Sequence, residues 1–72
     1  MRKNHDPTII IDTAATRAGY NRRRAEMCKL ANVPLSTFNA QRARGDYPLS
    51  VIKRLNRVIH FTEEECKQLV GG

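Results

Sequence analysis

The tripeptide Asn32-Val33-Pro34 is the strongest constraint on what this chain can fold into. Proline has no backbone N–H, and its ring clashes with the preceding turn. A helix that approaches Pro34 must therefore end before it. The same ring is well placed at the start of a new helix. The stretch 22–44 otherwise lacks breakers, so it predicts two short helices, Arg22 to Ala31 and Leu35 to about Arg44. Asn21 supplies an N-cap for the first. Its apolar residues fall at 27, 28, 30 and 31 with Ala25 behind them, leaving Arg22, Arg23, Arg24, Glu26 and Lys29 mostly outside. The second helix has Leu35 and one large anchor, Phe38, among Ser36, Thr37, Asn39, Gln41, Arg42 and Arg44. Two short helices with a three-residue break have helix-turn-helix spacing. Their steep crossing requires a small side chain, Cys28, where the second helix leans on the first. Val33 then plugs the gap beneath the turn, and Phe38 inserts into the core.

The rest of the chain supplies a body for this motif. Residues 1–7 are polar and end at Pro7, and read as a loose arm. Thr8 to Ile11 is β-branched and predicts a stub of strand or an extended lead-in, so the arm is expected to run over 1–11. Asp12 is a good N-cap for a short helix, Thr13 to Ala18, stopped by Gly19. Gly45-Asp46-Tyr47-Pro48 is a turn. A helix follows from Leu49 or Ser50 to Ile59. Val51, Ile52, Leu55, Val58 and Ile59 form its apolar stripe, with Lys53, Arg54 and Arg57 on the other side. Thr62 and Glu65 match a capping box, with Phe61 and Cys66 as its hydrophobic staple. They predict a last helix from Glu63 to Val70, closed by Gly71. The helix dipole favours the three glutamates in its first turn, which is sufficient reason for them. The expected fold is one all-α domain of four to five short helices over 12–70.

Charge narrows the partner. Lys and Arg number 13 against 7 Asp and Glu, a net of +6 in 72 residues. Residues 1–60 carry 12 basic and 4 acidic groups, net +8; residues 61–72 carry Lys67 against three glutamates, net −2. So strong a positive field on a small body favours a polyanion. Cys28 and Cys66 are too few for a disulfide scaffold, and both fall on expected apolar faces. They are expected to be free, buried thiols in a reducing cytosol. No signal peptide is read at the start, and no run is long enough to span a membrane. His5, His60, Cys28 and Cys66 lack metal-ligand spacing, so no metal is expected. Paired carboxylates, a nucleophile with its base and a glycine-rich phosphate loop are all missing from the sequence. The chain is therefore expected not to be an enzyme, and to need no cofactor or small-molecule ligand.

The segment Met27-Cys28-Lys29-Leu30-Ala31-Asn32-Val33-Pro34-Leu35-Ser36-Thr37-Phe38-Asn39 resembles the helix-turn-helix of the phage Cro/repressor-like (XRE-type) family. The usual pattern there is Leu-Ala-x-x-Leu-Gly-Val-Ser-x-Ser-Thr-Ile-Ser. Met27 and Cys28 stand for its Leu-Ala. Asn32 replaces the turn glycine, which is tolerable because Asn accepts the left-handed region. Val33, Ser36 and Thr37 match, Pro34 replaces the capping Ser, and Phe38 takes the apolar anchor. Pro48 with helix 50–59 resembles the family's fourth helix, and Phe61 to Glu65 the start of its fifth. Three features depart from the pattern. Gln41 lies where an apolar residue is common, Ala40 where a longer side chain is common, and the link near Arg44-Gly45 is about one residue longer.

The resemblance implies a lambda-repressor-like domain that puts helix 35–44 into the major groove of double-stranded DNA. Carried over by position, the base-reading residues are Leu35, Ser36, Asn39 and Ala40. Asn39 would pair with adenine, Ser36 with several bases, and Leu35 or Ala40 would meet a thymine methyl. Backbone contacts would come from Thr37, from Arg22, Arg23 and Arg24, and from Arg42 and Arg44, with Arg2 and Lys3 as a flexible arm. The family usually binds as a homodimer on palindromic sites. The expected role is a transcriptional regulator of a phage, prophage or mobile element, repressor or activator. The alternatives are an architectural or accessory DNA-binding protein (excisionase, terminase small subunit, antitoxin) and a helical protein-interaction module.

Overall fold

The computed structural model describes residues 6–70, and they form five α-helices with short links: α1 Pro7–Arg17, α2 Arg24–Ala31, α3 Leu35–Arg44, α4 Leu49–Ile59 and α5 Glu63–Val70. No strand occurs among the described residues. The all-α expectation holds.

The front of the chain differs from the expectation. Thr8 to Ile11 is helical, neither strand nor extended lead-in, and Asp12 lies inside α1 rather than capping it. The cap is Asp6, whose Oδ1 accepts from the Thr8 N–H at 3.0 Å, with Pro7 in the first helical position. Burial overrides the β-branched propensity of the isoleucines. In a helix, Ile10, Ile11, Ala14 and Ala15 fall on one buried face. An extended start would bring only alternate residues of the run to the core. The domain therefore reaches back at least to Pro7, and only 1–5 of the expected arm, with Arg2 and Lys3, lie outside the described residues.

Three helices end in the same closure. After α1, Tyr20 donates to the Ala15 carbonyl and Gly19 to that of Thr16. Val33 and Asn32 repeat this on Cys28 and Lys29, and Asp46 and Gly45 on Gln41 and Arg42. This is the Schellman pattern, which needs one residue in the left-handed region. Gly19, Asn32 and Gly45 supply it at φ 92°, 60° and 68°. The second helix starts later than Asn21 predicted. Arg22 has φ 63° and Arg23 takes the cap position without a side-chain hydrogen bond, so α2 begins at Arg24.

The core is a single cluster. α2 packs on α3 and α4, while α1 packs on α4 and α5. Phe38, Ile11, Leu55, Ile59 and Cys28 are its largest fully buried side chains. Val33 and Phe61 are buried as expected; Leu30 is not, and stands 58% exposed. Cys66 is only half-buried, because α5 touches the body along one edge and buries no residue completely. Both cysteines are free thiols. The capping box forms in both directions: Glu65 N–H donates to Thr62 Oγ1 at 3.1 Å, and Thr62 N–H to Glu65 Oε1 at 2.9 Å. The closing Gly71 lies outside the described residues.

Candidate nucleic-acid interface

α3 is held by very little apolar surface. Phe38 is 1% exposed, and its ring lies 5.8 Å from that of Tyr47, tilted by 45°. The Tyr47 hydroxyl hydrogen-bonds the Thr8 hydroxyl at 2.8 Å, which ties the α3–α4 link to the start of α1. Burial raises the Tyr47 phenol above its ordinary value, with the Thr8 hydrogen bond acting the other way, so the hydroxyl stays protonated. Beneath α3, Cys28 allows close approach of α2. Burial lifts its thiol above the usual range while Arg24 pulls it down, and a protonated buried thiol is inert packing.

What remains of α3 faces outward. Leu35, Ser36, Thr37, Asn39 and Ala40 are all exposed on the first two turns. Pro34 caps the helix without any side-chain hydrogen bond, so side chains leave its first N–H groups free. Arg24 Nη1 donates to Asn39 Oδ1 at 2.9 Å, which fixes the amide's orientation and links α2 to α3. An amide oxygen has a second lone pair and its NH₂ two donors, so Asn39 keeps both halves of an adenine-type pairing.

The expected backbone arginines divide into groups. Arg22, Arg24 and Arg42 line one hollow of about 230 Å³ with Asp12 and Tyr20, and Arg24, Asn39 and Arg42 share another with Thr8. Arg42 makes a bidentate pair with Asp12 of α1, at 2.5 and 3.0 Å, and its pKa is raised by that bond. Arg23 pairs with Glu26 on its own helix. Arg22 and Arg44 are exposed and have no side-chain partner among the described residues. The structure thus brings Asn39, Arg24 and Arg42 together, and directs Arg23 and Arg42 toward carboxylates.

The sequence did not reveal these pairings, since Asp12–Arg42 and Arg24–Asn39 join residues 30 and 15 positions apart. It also gave no reason to single out the outer side of α4, where Lys53, Arg54 and Arg57 lie beside the exposed Leu30. Their spacing was visible, but their setting was not. No helix of the described residues is long and apolar enough to cross a membrane. No protein-family model, curated protein or solved structure matches this chain.

Proposed function

We propose that this protein is a sequence-specific double-stranded DNA-binding protein, with α3 entering the major groove. One observation carries the reading. α3 is pinned by the buried Phe38 yet exposes Ser36, Thr37 and an Asn39 oriented by Arg24. A docking surface for another protein would favour apolar and aromatic residues at its centre. Polar side chains on a short, rigid helix suit base edges instead. The net charge of +6 supports the same partner. Leu35, Ser36, Asn39 and Ala40 read bases; Thr37, Arg22, Arg24 and Arg44 position the backbone. The resemblance to Cro/repressor-like proteins extends this to a transcriptional regulator of a phage or mobile element, binding as two copies on a palindrome.

Selection of bound duplexes from a random-sequence pool tests the reading. A palindromic consensus is expected, and Asn39→Ala should cost about 1–3 kcal/mol at one base position while sparing the others. Failure to enrich any sequence overturns the proposal. Enrichment of bent or partner-dependent sites without a palindrome favours the architectural role.

A further inference from the structure

α4 carries a second cationic surface that the base-reading helix does not explain. Lys53, Arg54 and Arg57 lie on its outer side with Ser50, and border a groove of about 450 Å³. Leu30 and Ala31 of α2 and Asn32 line the same groove. None of the three cations pairs with a carboxylate among the described residues, unlike Arg17, Arg23 and Arg42. Arg54 is also positioned: its Nη1 donates to the Asn32 carbonyl at 2.9 Å. Asn32 is three residues before Leu35, so the groove opens within about 11 Å of chain from the first turn of α3.

We infer that the Lys53–Arg54–Arg57 groove is a second phosphate-backbone site, holding the same duplex where it runs past the bases read by α3. This rests on the DNA-binding reading. Three features fit a sugar–phosphate strand. The lining is cationic and includes a hydroxyl, Ser50, able to donate to phosphate. The apolar part of the lining, Leu30 and Ala31, suits the faces of deoxyribose. Lys53 and Arg57 are one turn apart, about 6 Å along the axis, and over that length one DNA strand presents about two phosphates. Asn32 connects the groove to the turn before α3, so in the inferred arrangement a duplex whose bases meet the N-terminal residues of α3 continues toward the groove.

The test uses the full chain and two duplexes carrying the selected site, one trimmed to the bases read and one extended by a helical turn on each side. Binding is followed by fluorescence anisotropy over a range of salt. On the long duplex the triple variant Lys53→Ala, Arg54→Ala, Arg57→Ala should lose about 1.8 from the log–log salt slope, about 0.9 for each of the two phosphates, with base preference unchanged. The charge-preserving variant Lys53→Arg, Arg54→Lys, Arg57→Lys should keep the slope, and on the trimmed duplex all three proteins should bind alike. A full slope in the alanine variant on the long duplex overturns the inference. So does an equal loss on the trimmed duplex, or a complex in which the wild-type groove holds a separate duplex. Absence of any binding by the wild-type chain overturns the DNA-binding reading itself, so the two failures are distinct.

Discussion

Arg42 and Asp12 lock α3 onto α1 through two parallel hydrogen bonds, 2.5 and 3.0 Å long, across 30 positions of sequence. The fork of the guanidinium matches the carboxylate edge, a geometry that holds orientation as well as distance. The pair sits beside Asn39 and Arg24, so the last turns of α3 are fixed from two sides. α3 needs this because Phe38 is its only buried large apolar side chain.

Arg42 and Arg44 should therefore separate in their effects. Arg42→Ala is expected to lower stability by up to about 1 kcal/mol and to leave the salt slope of DNA binding nearly unchanged. Arg44→Ala should do the reverse, reducing the slope by about 0.9 without a shift in the thermal transition. Melting curves and salt titrations of both variants check this. Equal slope losses would mean that Arg42 leaves Asp12 for phosphate.

Gln41 is a buried polar residue, 5% exposed, and its Oε1 has no hydrogen-bond partner among the described residues. An acceptor left dry and unpaired costs about 1–3 kcal/mol. Methionine has nearly the same shape without that demand. Gln41→Met is expected to stabilise the domain by about 1 kcal/mol, moving the melting temperature up by about 4–8 °C. An unchanged or lower transition would show that the amide is needed.

Glu65 links pH to stability. The hydrogen bond from Arg17 holds its carboxyl below the ordinary value, and the Thr62 backbone N–H adds to this. A depressed carboxyl contributes stability above its unfolded pKa and loses it as pH falls through the folded one. Glu65→Gln can keep the cap but drops the charge. Wild type should exceed this variant by a constant margin at neutral pH. The margin should close as pH falls below the ordinary carboxylate range, and shrink in high salt. Denaturant unfolding of both across that range measures it; a margin independent of pH would assign the effect to packing.

Asn32 holds the turn at φ 60°. Asn32→Ala should cost about 1–2 kcal/mol through left-handed strain, while Asn32→Gly should not. The Arg54 bond uses the Asn32 backbone carbonyl and survives both changes. Equal losses in chemical denaturation would instead give the asparagine side chain the stabilising role.

Local chemistry was legible where one element decides it alone. Pro34 separated α2 from α3, the apolar spacing of 51 to 59 placed α4, and Thr62 with Glu65 placed the start of α5. Reading failed where two elements compete for a segment. The isoleucines at 9–11 carry strand propensity, yet the pairing of Ile10 and Ile11 with Ala14 and Ala15 on one face made them helical. Leu30 fits the stripe of α2 by sequence, but α4 crosses so that a groove opens beside it.

The sequence by itself determined five helices' worth of local signals, the break at Asn32-Val33-Pro34, the anchor at Phe38 and a positive body. Those rest on backbone sterics, capping and periodicity, which act within a few residues. Only the tertiary structure decided which cations are engaged and which are free. Arg42 meets Asp12, Arg24 meets Asn39, and Lys53, Arg54 and Arg57 line a groove and pair with no carboxylate among the described residues. Charge pairing depends on distance in space, falls off within a Debye length, and is set by how helices cross.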